Sequence, residues 1–374
     1  MRFFSLILTG SLILLCGSFS VSAAEALPLQ GQWLTDTSGR TLLDPQSSGL
    51  TLRHGELIHI GDNSAASAQR NILMKIDPAT GQLNAAPVKI TVAEPLTRGC
   101  FGPLLTAYPD WESLTWDRQD DTTLITVTED SSNYQLTGEC ASRYADTNAT
   151  PYPTLLVKIK IDKALSKAEI VAVRPVQFPA EAKVGNFAND GIEGLAIDND
   201  NQLYLALEKN QANAPMIFST AYDDNFWQDE QFVKVKDTGF ILPLPDGGNH
   251  PINGLDYLAH PDSSHPGYLL AAARNDNQLW ILDLSRQQPP LVQSLEFYAP
   301  TYSANATPPC PAYQKLDNTS IEGVAVSDKL VYLVNDPWKS QYLKNIQCPA
   351  NAEHFKLFSP LLFQLNISQQ WFIQ

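Results

Sequence analysis

Ser48-Gly49-Leu50-Thr51, Glu112-Ser113-Leu114-Thr115, Glu193-Gly194-Leu195-Ala196, Asn253-Gly254-Leu255-Asp256 and Glu322-Gly323-Val324-Ala325 are five copies of one pattern. Each has a polar residue, a small residue, an apolar residue and then a small or polar one. Counted from the second residue, the copies lie 64, 81, 60 and 69 residues apart. Such self-similarity marks one supersecondary unit used repeatedly. A second apolar run follows each copy: Leu57-Ile58-His59-Ile60, Leu124-Ile125-Thr126-Val127, Leu203-Tyr204-Leu205-Ala206, Leu269-Leu270-Ala271-Ala272 and Val331-Tyr332-Leu333-Val334. These runs hold branched and aromatic residues between turn formers, the signature of strands.

No sustained 3.6-residue periodicity occurs, so a helical solenoid is excluded and a four-stranded unit fits. In the first unit the strands are expected near 49–53, 56–62, 71–77 and 87–92. Third strands are expected over 154–160, 278–284 and 361–367, and fourth strands near 168–174 and 291–295. The outer strands of the third unit are weakly marked. The fifth unit lacks a fourth strand, and Leu29-Gln30-Gly31-Gln32-Trp33-Leu34 has no partner of its own. The expected fold is therefore all-β, a β-propeller of five blades, with six as the alternative count, closed by that N-terminal strand. Closure protects the edges that an open sheet exposes.

Met1-Arg2, the apolar run from Phe3 to Leu15 and the small residues Val21-Ser22-Ala23-Ala24 read as a secretory signal peptide over 1–24. A single domain is expected over 25–374. Cys16 follows Leu15 rather than a small residue, which argues against a lipid-anchored leader. No further segment is long and apolar enough to span a membrane. These features predict a periplasmic or secreted protein. Loss of Arg2 with the leader leaves 24 Lys and Arg against 40 Asp and Glu. That balance excludes nucleic-acid and anionic-membrane partners, which need basic patches. It suits a chain that holds cations, or one that is simply soluble.

Cys100 lies 13 residues before Ser113 and Cys140 lies 27 after it; Cys310 lies 13 before Gly323 and Cys348 lies 25 after it. Matching offsets in two units predict the pairs Cys100–Cys140 and Cys310–Cys348, which an oxidising compartment permits. Both would brace one face, the face that also carries the long aperiodic loops 93–112, 130–151, 296–320 and 337–358. Braced loops on a rigid scaffold are where function concentrates.

The residues that lead the five copies are Ser48, Glu112, Glu193, Asn253 and Glu322. Five places beyond the start of each second run stand Asp62, Glu129, Glu208, Arg274 and Asp336. Both columns fall at the braced face, and seven of their ten positions are carboxylates. Two unit charges 5 Å apart repel by about 3 kcal/mol at an effective dielectric near 20. Such a ring must be protonated, paired with Arg274, or neutralised by a cation. Oxygen donors select Ca²⁺ or another hard divalent cation. The competing reading has these acids bonding backbone amides of the next unit. His250, three residues before Asn253, is a candidate general base, against a plain loop histidine. Trp111, Trp227 and Trp338 also fall near this face and would suit a binding surface. Arg53-His54-Gly55 and Asp198-Asn199-Asp200-Asn201 read as hairpin turns rather than as phosphatase or calcium-loop motifs.

Asp190-Gly191-Ile192-Glu193-Gly194-Leu195-Ala196, with Leu203-Tyr204-Leu205-Ala206-Leu207-Glu208 and Ile321-Glu322-Gly323-Val324-Ala325, resembles the phytase-like ("esterase-like activity of phytase") secreted β-propeller family. The resemblance covers most of the chain beyond the leader and is strongest over 190–210 and 317–338. It implies a cation-dependent phosphoester hydrolase acting on a small anionic or ester substrate. Glu112, Glu193, Glu322 and Asn253 would hold the metal. Glu208 and Asp336 would serve as further ligands or base, and Arg274 would orient a phosphate. Related calcium-dependent lactonase propellers share Glu- and Asn-containing blade starts, so a lactonase or arylesterase is the alternative. A propeller that only binds a ligand or protein is a third.

Overall fold

The structure, a computed structural model, describes residues 25–107, 109–129, 132, 134–149, 153–185, 187, 190–229, 231–301, 310–317 and 319–372. The leader expected over 1–24 lies outside them. Each repeat copy opens a strand: Ser47–Arg53, Trp111–Trp116, Ile192–Ile197, Ile252–Leu258 and Ile321–Val326. Each strand pairs antiparallel with the apolar run that follows it, and a third antiparallel strand is added to every unit.

The second strands are apolar without alternation because both faces are covered. All six residues of Tyr268–Ala273 are buried, as are five of the six in Gln202–Leu207. Among the described residues the core divides into five hydrophobic clusters, each shared by two neighbouring sheets. Ile58 and Leu73 of the first meet Leu114 and Val157 of the second. Ile125 and Leu156 meet Leu205 and Phe218 of the third. Tyr204 and Ile217 meet Leu269 and Trp280 of the fourth. Leu270 and Leu279 meet Leu333 and Phe363 of the fifth. Tyr332 and Val334 return to Leu50 and Leu57 of the first. The interfaces close a circle, which is a β-propeller-like arrangement.

The small second residue of the motif is a steric requirement of that circle. A Cβ on Gly254 would lie 2.3 Å from the Glu322 carbonyl oxygen. On Gly194 it would lie 2.6 Å from the Leu255 Cβ, on Gly323 2.8 Å from the Leu50 Cβ, and on Gly49 2.7 Å from the Leu114 nitrogen. In the second unit Ser113 takes this place, and its hydroxyl accepts a hydrogen bond from the Leu195 amide at 2.9 Å. Gly254→Ala must therefore push two inner strands apart. We expect a loss of about 3 kcal/mol, the upper range for overpacking, read as a lower urea midpoint with unchanged slope. A midpoint equal to that of the parent protein would show the strands are not this close.

The N-terminal stretch departs from expectation. It is two strands, not one. Leu27–Gln30 lies parallel to Leu291–Pro300 on the fourth sheet, and Gln32–Trp33 lies antiparallel to Leu361–Asn366 as the fourth strand of the fifth. Gly31 makes the switch: its amide donates to the Tyr298 carbonyl, and the Phe363 ring leaves no space for a Cβ there. Outer edges are also stitched between sheets by parallel pairs that the sequence did not signal. Val88–Val92 pairs with the start of Ala168–Gln177, whose end pairs with Val233–Lys234. In the third unit the fourth strand is only Lys236–Asp237, which explains its faint pattern.

Both disulfides form the expected pairs, with Cα separations of 5.6 Å for Cys100–Cys140 and 5.8 Å for Cys310–Cys348. The loops they brace carry short helices, among them Gly102–Thr106, Gly138–Arg143 and Ala352–Lys356, each too short to show a period in sequence. Arg53-His54-Gly55 and Asp198-Asn199-Asp200-Asn201 are hairpin turns, with His54, Gly55 and Asn201 at positive φ. No helix among the described residues is long and apolar enough to cross a membrane.

Candidate metal centre

Every inner strand begins with the same irregularity. The pairing skips one residue between Ser47 and Gly49, Trp111 and Ser113, Ile192 and Gly194, Ile252 and Gly254, and Ile321 and Gly323. The skipped residues are Ser48, Glu112, Glu193, Asn253 and Glu322, the first predicted column. A bulge leaves its extra residue unpaired and re-aims the side chain. The second column is fixed to the first by a repeated hydrogen bond. The amides of Asp62, Glu129, Glu208, Arg274 and Asp336 donate to the carbonyls of Gln46, Asp110, Gly191, Pro251 and Ser320. Each acceptor stands two residues before the bulged residue of its unit.

These columns surround a cavity of about 760 Å³ at the disulfide-braced face. All seven predicted carboxylates line it, joined by Asp110 and Asp190, and the cations there are Lys209 and Arg274. Among the described residues, nine acids thus face two bases. Lys209 pairs with Asp190 at 3.0 Å. Arg274 spans two acids, Nη1 to Glu322 at 2.5 Å and Nη2 to Glu208 at 3.2 Å. Three sets of carboxylates each place oxygens within 4.8 Å of one another: Asp110, Glu112 and Glu129; Glu112, Glu193 and Glu322; Glu129, Glu193 and Glu208. Glu112, Glu129 and Glu193 each belong to two sets, so the sets interlock.

Burial and like charge together shift these carboxyl groups. Burial, then the neighbouring acids, pushes Glu112 and Glu193 well above the ordinary carboxyl range. Asp336 rises well above it for the same reasons, partly offset by Arg274. Glu129 rises to about 8 by burial, partly offset by its hydrogen bond to Glu193 and by the Gly191 amide at 2.8 Å. Glu322 rises to about 7 although Arg274 opposes the shift. Burial works against the Arg274 charge too, but Glu322, Glu208 and Glu193 outweigh it and hold the guanidinium protonated.

The remaining predicted residues fall elsewhere. Ser48 and Asn253 occupy their bulges fully buried and are not among the residues lining the cavity; the Ser48 hydroxyl and both amide atoms of Asn253 have no protein partner. His250 does not line the cavity. Its Nδ1 bonds Asp276 at 2.9 Å and its Nε2 meets the Gly247 carbonyl, so both ring nitrogens serve the loop. Its pKa is raised: burial opposes the shift, and the Gly247 and Asp276 contacts exceed it. Trp111 is 1% exposed and bonds Asn71, so it belongs to the core. Trp227 lies at the opposite end, where it bonds Tyr222 and, through it, Asp117 of a far hairpin. Trp338 does line the cavity, half exposed, as does Phe187. Asp110 escaped the sequence reading because it precedes its bulged residue by two places, a column that only the carbonyl pattern reveals.

No protein-family model matches the chain, and no curated protein does. Solved structures that resemble it include a periplasmic gluconolactonase, PpgL, of Pseudomonas aeruginosa, at 12% identity over 70% of this chain and 56% of that one, with TM-score 0.31. A virginiamycin B lyase from Staphylococcus aureus matches at 11% identity over 90% and 99%, with TM-score 0.39. An exo-β-1,3-galactanase from Phanerochaete chrysosporium matches at 11% over 91% and 64%, with TM-score 0.47. The chain spans little more than half of the gluconolactonase's length. Likeness at this level informs neither the chemistry nor the substrate.

Proposed function

We propose that residues 25–374 form one five-bladed β-propeller, exported to the periplasm or beyond, that hydrolyses phosphoesters with a divalent cation held in the acidic cavity. This is the phytase-like reading. The observation that carries it is the charge balance: among the described residues, nine carboxylates meet two bases around one cavity. The donor set fits calcium, because it is all oxygen and its three sets lie within ligand reach. Asp336 Oδ1 and Asp190 Oδ2, both buried on the cavity wall, have no protein partner. Two disulfides support export, since they persist in oxidising compartments.

Glu112, Glu193 and Glu322 would hold the cation, and Glu208 would extend the set. A cation bound there would polarise a phosphoryl oxygen and acidify a water. The chain's own residues supply the proton traffic. Glu129, raised to about 8 and hydrogen-bonded to Glu193, keeps its proton near neutral pH and could give it to a leaving oxygen. Asp336, ionised once a cation sits beside it, would accept the proton of the attacking water through the oxygen that has no protein partner. Lys209 stays with Asp190 at the wall.

A second reading, a calcium-dependent lactonase or arylesterase, is favoured by one observation. Arg274 is already engaged by Glu208 and Glu322, and an uncharged ester requires no free guanidinium. One panel separates the two: phosphomonoesters and lactones, each with calcium and with chelator. Phosphoester turnover that falls at least 100-fold in chelator is expected. Lactone turnover alone would select the second reading, and turnover unaffected by chelator would remove the cation from both.

A further inference from the structure

The fourth unit breaks the acidic pattern. Where the other units place Asp62, Glu129, Glu208 and Asp336, it places Arg274. The guanidinium is bound by two acids that belong to two different carboxylate sets, Glu322 to one and Glu208 to another. Its backbone is pinned, with the amide donating to Pro251 and the carbonyl accepting from Asn277. Its side chain is a quarter exposed to the cavity. Lys209 differs: its partner Asp190 belongs to none of the three sets.

We propose that Arg274 is an internal counter-cation that a divalent ion displaces from Glu208 and Glu322, and that the displaced guanidinium then binds an anionic group. The inference rests on the cation reading above and adds an order of events to it. A guanidinium and a metal cannot both saturate the same carboxylate oxygens, and a divalent ion offers twice the charge. Glu322 and Glu208 turn to the ion, and the planar fork loses both partners. Because its backbone is fixed, the fork stays within the cavity. It then presents parallel N–H groups with the geometry that phosphate oxygens match. Without the ion, the fork is neutralised and the surrounding acids repel an anion. Metal entry therefore creates the anion site, and by linkage the anion tightens the metal.

The test is calorimetry on the mature protein with calcium and with methylphosphonate, a phosphoester mimic that is not hydrolysed. Competition predicts that Arg274→Gln binds calcium about tenfold tighter than wild type. Methylphosphonate should bind wild type only after calcium, and should bind calcium-loaded Arg274→Gln at least tenfold more weakly than calcium-loaded wild type. Arg274→Lys keeps the charge but has no fork to span both acids, and serves if Arg274→Gln does not fold. It should also bind calcium more tightly and methylphosphonate more weakly than wild type. Equal or weaker calcium binding by the variants overturns displacement while leaving the cation reading intact. Equal methylphosphonate binding by wild type and variants overturns the anion site. A wild type that binds no calcium at all overturns both this inference and the reading beneath it.

Discussion

Glu193→Gln is expected to weaken calcium binding about a hundredfold and to leave the fold intact. Glu193 belongs to two of the three carboxylate sets and shares a hydrogen bond with Glu129, so its loss takes ligand charge from both sets at once. Glutamine keeps the shape and one oxygen donor at the bulge. A unit charge about 4 Å from its partner is worth about 4 kcal/mol at an effective dielectric near 20, and a hundredfold loss corresponds to about 3 kcal/mol. The same change removes repulsion from the metal-free protein. In chelator the variant should melt above wild type, and in millimolar calcium below it, since the ion stabilises the folded state by mass action. Calorimetry and melting curves under both conditions decide the matter. Superimposable calcium isotherms would falsify the assignment and make the carboxylate structural.

Without calcium, the protein is expected to lose stability as pH rises from 5 to 8. Glu322 and Glu129 release their protons near 7 and 8 in the folded chain, against an ordinary 4.5. Between these values the native state holds protons that the unfolded chain has already lost, so each increase in pH favours unfolding. The favourable state is complete below about 4.5 and is lost as pH passes through 7 to 8. Each pKa unit is worth about 1.4 kcal/mol, and Glu112, Glu193, Glu208 and Asp336 shift in the same direction. Carboxylates with lowered pKa, such as Asp120 and Asp162, act only below 3.8 and do not enter this window. Saturating calcium should reverse the slope, because the ion needs ionised ligands. The check is melting temperature across pH 5–8 in chelator and in calcium. A flat profile in chelator would mean that the cavity acids are compensated by something other than protons.

The sequence made the acidic site legible because its residues repeat at fixed offsets from an apolar motif. Seven carboxylates, Arg274 and both disulfides could be placed by alignment of the chain with itself. The bulges could not be seen, since a skipped pairing leaves no mark in composition. Yet the bulges are what turn Glu112, Glu193 and Glu322 toward one another. His250 and Trp227 were misplaced for a related reason. Position along the chain gave the height of a loop, but not which way its side chains turn or which strand the following segment descends. Parallel pairs such as Val88–Val92 with Ala168–Gln177 join segments of different units, and no local pattern reports them. Short helices beneath the disulfides are likewise set by packing, not by periodicity.

The split N-terminal stretch also decides when this molecule can be finished. Gln32–Trp33 is made long before its partner Leu361–Asn366; the bond from the Ser359 hydroxyl to the Leu34 carbonyl spans 325 positions. The other sheet interfaces can assemble as the chain lengthens, but the one that closes the circle must wait for both segments. Closing so large a loop is entropically slow, and until it closes the edge of the last sheet is an open template. A second copy's N-terminal strand can supply the same pairing. Crowding of nascent copies therefore converts the seam that completes one molecule into a route to exchanged dimers. The yield of monomer should fall with refolding concentration even where every cavity residue is intact.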